Sequence, residues 1–262
     1  MITSLNSSTR SGVLPERKKP QKPILFRDRG QSNKSGNGAF VSVLTSNYPA
    51  FSGLMTDTYI FNASTGLFEQ LNIGVNQNLG TDLSNSNFGT STVFAPMAAS
   101  YLGVPVHYVI KSVGSTGITG EAGPDWVPEN EELFTEANTD LQNAMNAMNL
   151  LYGAGNWQFD HDDWAQGEDE RFSPAGYEDK LDHFITASDN FLGFNAKYLI
   201  EITQFEGIKL EQYAYINSHK STSYPVEIDS YVSPDSLHYD AETMYNLSVQ
   251  RFNVAKSYLW GI

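Results

Sequence analysis

A serine hydroxyl becomes a nucleophile when a base takes its proton and an acid orients that base. Residues of these three types stand in two short segments at opposite ends of the chain. In Gly30-Gln31-Ser32-Asn33-Lys34-Ser35-Gly36, Ser32 lies between glycines just after the apolar run Pro23-Ile24-Leu25-Phe26. A turn there would expose the hydroxyl at the end of a buried strand. In Asp235-Ser236-Leu237-His238 a carboxylate and an imidazole three residues apart can meet on one turn. A third segment, Trp164-Ala165-Gln166-Gly167-Glu168-Asp169, offers Gln166 as an amide donor to a developing oxyanion. Each segment also has a purely structural reading. These are a Ser-Asn-Gly turn, a helix N-cap beside a surface histidine, and a polar strand end running into a solvated acidic turn.

In open parallel sheets the reactive loops lie beyond the carboxyl ends of the strands, so strands must precede these segments. The pattern supplies them. Residues 24–26 and 106–110 are apolar runs of strand length, and 54–73 alternate around Asn62-Ala63-Ser64-Thr65-Gly66 as a hairpin does. Residues 74–92 read as a long polar loop, and 94–102 as a helix stopped by Gly103-Val104-Pro105. The clearest helix covers 130–152, with Leu133, Phe134, Ala137, Leu141, Ala144, Met145, Met148 and Leu151 on one face. Asn130 suits its N-cap, Glu131 and Glu132 its positive end, and Gly153 its stop. Strands at 157–164 and 197–202 and helices at 174–191 and 240–259 complete the series. Strands alternating with helices predict an α/β fold: a mostly parallel central sheet with helices on both faces.

The 262 residues include no cysteine, which excludes disulfides, thiolate nucleophiles, iron–sulfur clusters and cysteine zinc sites, and leaves Ser32 as the best nucleophile on offer. Acids outnumber bases 30 to 16. The balance is uneven: residues 1–34 carry eight basic and two acidic side chains, and the remainder carries eight basic and 28 acidic ones. A body this acidic repels nucleic acid and anionic lipid. The expected organisation is a basic tail or linker over 1–23, with an attachment role as the alternative, and one domain over 24–262. No apolar run reaches the roughly 18 residues of a membrane span, and residues 1–23 lack the apolar centre of a secretory signal. Cytoplasmic and virion-associated locations both stay open. His161-Asp162-Asp163 are neighbours on a strand and point to opposite faces, so no metal is expected there. Arg27, Arg29 and Lys34 bracket Ser32 in sequence, so they either bring positive charge to the mouth of the site or offset the acids around it.

In this order, Gly-Gln-Ser-Asn, Trp-x-Gln-Gly-Glu and Asp-x-x-His resemble the SGNH (GDSL-like) hydrolases. Within them they resemble the sialate O-acetylesterase-like branch that includes carbohydrate esterase family 6. Val113-Gly114-Ser115-Thr116-Gly117-Ile118 followed by Trp126 stands for that branch's glycine block, and Phe88-Gly89-Thr90 through Phe94-Ala95-Pro96 resembles a further segment. The chain departs from the pattern at Lys34, where methionine is usual, at Ser115, where glycine is usual, and at Glu170, one place beyond the usual acid, with Asp169 also available. The resemblance implies a flavodoxin-like three-layer sandwich with Ser32 as nucleophile, His238 as base and Asp235 as its orienting acid. It further implies an oxyanion hole from the amides of Ser32 and Gly114 with the Gln166 side chain. Gln31, Asn33 and Glu168 would act in support, and no cofactor or metal is implied. The implied substrate is an O-acetyl ester on a carbohydrate, and the acidic surroundings favour neutral glycans. Lys34 and Ser115 motivate an alternative, a glycan-binding module without turnover on a viral or bacterial surface structure.

Overall fold

Ile24, Leu25 and Phe26 open a strand, β1 (Ile24–Gly30), whose every residue is buried. A computed structural model describes residues 19–118, 125–129 and 132–261. In chain order, β1 is followed by α1 (Ser32–Ser35), α2 (Val41–Asn47), β2 (Gly53–Asn62), β3 (Leu67–Ile73), α3 (Thr90–Leu102), β4 (Val106–Ser112), α4 (Glu132–Tyr152) and β5 (Gln158–Ala165). A short 3-10 turn (Asp169–Phe172), α5 (Tyr177–Leu192), β6 (Tyr198–Glu201), α6 (Glu206–Ser218), β7 (Ser223–Val226) and α7 (Ala241–Tyr258) complete it. The strands form one sheet in the order β3-β2-β4-β1-β5-β6-β7. Every neighbouring pair is parallel except β2 with the edge strand β3. This is the expected α/β architecture.

A strand covered on both faces must be apolar on both, and the core shows that. Ile24, Phe26, Val106, Tyr108, Ile110 and Leu199 pack under α2, α3 and α7 on one face. Leu25 and Val109 meet α4, and Tyr198 and Ile200 meet α5 and α6, on the other. No helix among the described residues is long and apolar enough to cross a membrane.

Beyond Phe26 the central strands carry buried charge instead: Arg27, Asp28 and Arg29 on β1 and Asp162 and Asp163 on β5. On the face under α5, Asp162 accepts from Arg27 at 2.5 Å and from Arg29 at 2.8 Å. The remaining guanidinium hydrogens go to Asn138 Oδ1 at 2.5 Å and Ser188 Oγ at 3.0 Å. On the face under α7, Lys34 meets Asp28 at 2.7 Å, Glu201 at 2.5 Å and Asp163. Arg251 adds contacts to Asp28 at 3.2 Å and Asp163 at 2.7 Å. Four cations thus face four anions across the sheet. Of the two readings of Arg27, Arg29 and Lys34, positive charge at the mouth of the site is therefore overturned, and offsetting of surrounding acids is what the structure shows. A solitary buried cation is prohibitive, and each of the three is drawn inward by a carboxylate on β1, β5 or β6.

Other departures are local. α3 begins at Thr90 rather than 94, because Thr90 and Ser91 are buried hydroxyls that bond Glu201 and Arg251. α2, α6 and β7 have no clean period in the sequence. Leu151, expected on the apolar face of α4, is 57% exposed in its last turn. The N-cap Asn130 and its neighbour Glu131 lie outside the described residues, as does 1–18 of the tail.

Candidate functional site

The pocket of interest opens where β1, β4 and β5 end. The chain leaves β1 through a turn that only glycines allow. A Cβ at Gly30 would lie 2.1 Å from Ala165 O, and one at Gly36 would lie 1.9 Å from Phe88 O. Between them the one-turn helix α1 starts at Ser32, which retains 7% exposure and lines a pocket of about 250 Å3.

His238 reaches this serine from the other end of the chain. Its Nε2 is 3.1 Å from Ser32 Oγ and its Nδ1 is 2.6 Å from Asp235 Oδ2. The second oxygen of Asp235 accepts the amides of His238 at 2.7 Å and Leu237 at 3.0 Å. These partners assign the ring hydrogen to Nδ1 and leave the Nε2 lone pair facing Ser32. The His238 amide, with the ring and the Leu237 amide, holds the Asp235 carboxyl well below the ordinary carboxylate range. Its contribution to folding is complete above the ordinary value of 3.8 and is lost only as pH falls through the depressed one. Asp235→Asn is expected to preserve the fold at neutral pH while lowering kcat by roughly 10²- to 10⁴-fold, since the amide favours the wrong ring tautomer. Urea unfolding alongside ester hydrolysis measures both.

Asn33 explains how two segments so far apart in sequence stay in register. Its Nδ2 donates to Leu237 O at 3.1 Å and its Oδ1 accepts the Tyr239 amide at 3.1 Å, so it grips the residues on both sides of His238. Glu168 Oε1 accepts from the same Nδ2 at 2.7 Å. Burial pushes the Glu168 carboxyl above its ordinary value, against the Asn33 hydrogen bond that lowers it. Asn33→Ala is expected to cost about 1–3 kcal/mol of stability by stranding buried partners. It should also lower kcat more than it raises KM, because His238 would lose its register with Ser32.

The remaining expected residues are present but differently engaged. Gln31 is buried, and its carbonyl accepts from Ser112 Oγ at 2.7 Å. Gln166 Nε2 donates to Thr116 O at 3.1 Å, to Gln31 Oε1 at 3.2 Å and to Glu170. The Gly114 amide donates to Asp82 Oδ2 at 2.8 Å. Glu170 is buried and also accepts the Ile118 amide at 2.6 Å, whereas Asp169 lines the pocket and is exposed. Ser115 takes φ of 55°, a region glycine occupies freely and other residues enter at a cost of about 1–2 kcal/mol. Lys34 is wholly buried on the far side of α1.

Three polar pocket residues escaped the sequence reading. Asn37 Nδ2 lies 3.1 Å from His238 Nε2, sharing that lone pair with Ser32. Its place five residues after Ser32 in the same glycine-rich turn was the available signal. Asp82 and Arg171 also line the pocket, but nothing in their local sequence marks them.

No protein-family model and no curated protein sequence matches the chain. Solved structures do match in fold. A protein from Arabidopsis thaliana superimposes with a TM-score of 0.70 at 14% identity, covering 91% of this chain and 99% of its own. NanS gives 0.61 at 11% identity, over 91% of this chain and 97% of its own. A carbohydrate acetylesterase from Xanthomonas citri, XAC1771, gives 0.59 at 14% identity, over 92% of this chain and 57% of its own. With its seven-stranded sheet, covered on both faces, the chain shares the three-layer α/β fold of these structures.

Proposed function

We propose that the protein is a serine esterase that removes O-acetyl groups from neutral carbohydrates. The observation that carries the reading is the unbroken hydrogen-bond chain from Ser32 Oγ through His238 to Asp235 at the floor of a pocket. Ser32 attacks the ester carbonyl while His238 Nε2 takes its proton, and Asp235 stabilises the imidazolium that forms. The tetrahedral oxyanion is met by the amides of Ser32 and Gly114, each such donor contributing about 3–4 kcal/mol to the transition state. His238 then gives the proton to the sugar oxygen as its bond to the carbonyl carbon breaks, so the sugar departs with a free hydroxyl and an acetyl group stays on Ser32. Water activated by the same imidazole releases acetate and restores the serine.

Gln166 is better suited to positioning than to binding the oxyanion. Its amide hydrogens are already taken by Thr116 O, Gln31 and Glu170, which ties the turn after Gly114 to the nucleophile turn. Among the described lining residues, Asp82, Glu168 and Asp169 against the cation Arg171 make the pocket acidic, which disfavours anionic sugars. The Xanthomonas acetylesterase of similar fold supports the substrate class. The test combines acetate release from peracetylated and partially acetylated neutral glycans with mass mapping after treatment with a serine-directed fluorophosphonate. Turnover with one label, on Ser32, is expected. Turnover that survives with Ser32 unlabelled would overturn the assignment.

A further inference from the structure

Asp82 stands in the loop between β3 and α3 on a backbone that is held in place. Its amide donates to Ser112 O at 3.3 Å, and Thr81 pairs with Ser112 at the end of β4. Within the loop Gln77 Nε2 donates to Asn85 O at 2.6 Å and Asn87 O at 2.8 Å, while Asn78 Nδ2 donates to Ser84 O at 2.7 Å. Such a web of side-chain amides replaces the backbone pairing that a loop lacks. What Asp82 can readily move is its side chain.

That side chain sits on the reacting centre. Oδ2 takes the Gly114 amide at 2.8 Å and Oδ1 faces the Ser35 hydroxyl at 3.3 Å. A Cβ built on Gly114 would lie 3.2 Å from Asp82 Oδ2 and 3.5 Å from Ser32 Cβ, so all three groups share one small volume. An N–H has one hydrogen. If an ester oxygen is to use the Gly114 donor, it must compete with a carboxylate for it. The competition is steepest in the transition state, where that oxygen carries negative charge of its own.

We infer that Asp82 is a specificity-determining residue of the acyl site. It occupies the Gly114 amide in the resting protein and rotates off it for acyl transfer. Its charge turns away esters whose acyl group carries a carboxylate. The inference rests on the esterase reading above. It has a consequence that reading alone lacks: removing the charge should quicken the enzyme.

Asp82→Asn separates charge from support, because its amide oxygen can still accept from Gly114. Asp82→Ala removes both. kcat and KM are measured on a neutral acetyl ester and on the hemisuccinate of the same alcohol. The expected result for Asp82→Asn is a kcat on the acetyl ester raised about three- to tenfold with KM little changed. On the hemisuccinate kcat/KM should rise further, by roughly tenfold or more, as a like charge is removed. Asp82→Ala should match or exceed wild type on the acetyl ester, and combining Asp82→Asn with Ser32→Ala should abolish the gain. If Asp82 merely supports the turn, Asp82→Asn behaves as wild type on both esters and Asp82→Ala loses rate on both. Either that pattern or a slower Asp82→Asn overturns the inference while leaving an active esterase. Wild type and Asp82→Asn both inactive, with Ser32 unreactive to fluorophosphonate, removes the esterase reading and this inference together. Turnover gained only in Asp82→Asn supports both.

Discussion

Ser32→Ala, His238→Ala and the variant carrying both changes are expected to lose acetate release to nearly the same extent, about 10⁴- to 10⁶-fold in kcat. Groups that act as a unit are not additive: without the hydroxyl the imidazole has no proton to take, and without the imidazole the hydroxyl is a poor nucleophile. The 3.1 Å contact between Ser32 Oγ and His238 Nε2 makes the two one device rather than two contributors. Neither change should disturb the fold, since both side chains reach the pocket and neither closes a buried ion pair. Single-turnover hydrolysis with circular dichroism as control measures both points. Losses that multiply, with the double variant slower than either single by a further factor of about a hundred, would mean the residues act separately and would dismantle the proposed mechanism.

The second large effect concerns stability. Lys34→Met conserves length and approximate volume and installs the residue usual in the branch the sequence resembles. It should nonetheless destabilise the protein by about 3–5 kcal/mol, because a buried charge loses its partner. Asp28, Asp163 and Glu201 would then share Arg251 alone, in a site where every one of these side chains is 5% exposed or less. Burial works against the Lys34 ammonium, but Asp163, Asp28 and Glu201 outweigh it and raise it above the ordinary value of 10.5. A raised lysine stabilises below its unfolded value and ceases to do so as pH rises through the folded one. The deficit of the variant should therefore hold from neutrality to about pH 10 and fade beyond the ordinary 10.5. It should also shrink in acid, where the stranded carboxylates take protons, starting with Asp163, whose burial holds it well above the usual range. Urea midpoints across pH read this directly, and Lys34→Met with Glu201→Gln should recover part of the loss. A deficit below about 1 kcal/mol at neutral pH would show that the network is not what anchors α1 to the sheet.

This network also revises the reading of the charge pattern. By sequence, Arg27, Arg29 and Lys34 are three of eight bases crowded into residues 1–34, next to the nucleophile. In the fold they are consumed by acids from β1, β5 and β6, and the pocket keeps the acids Asp82, Glu168 and Asp169 with Arg171. Lys34, one of the two departures that suggested an inactive module, faces away from the pocket.

Local chemistry was legible wherever a residue's neighbours in sequence are also its neighbours in space. Asp235 and His238 share one turn, Ser32 follows its strand directly, and the strands and longer helices announce themselves by unbroken apolar runs or a 3.6-residue period. α6 and β7 were not legible, since a half-polar helix and a four-residue strand holding Pro225 acquire their preference from the sheet they cover. The partners of Lys34, the grip of Asn33 on both sides of His238 and the carboxylate of Asp82 on the Gly114 amide belong to tertiary structure alone. Apart from the Lys34–Asp28 pair, six residues apart, these contacts join positions 32 to 206 residues apart, and no spacing along the chain encodes which buried charge or orphan amide will be nearest once the sheet is assembled. The sequence by itself determined which groups can do the chemistry and the order of the elements that carry them. Tertiary structure decided what those groups touch, because burial makes every unpaired charge and amide find a partner wherever the fold has put one.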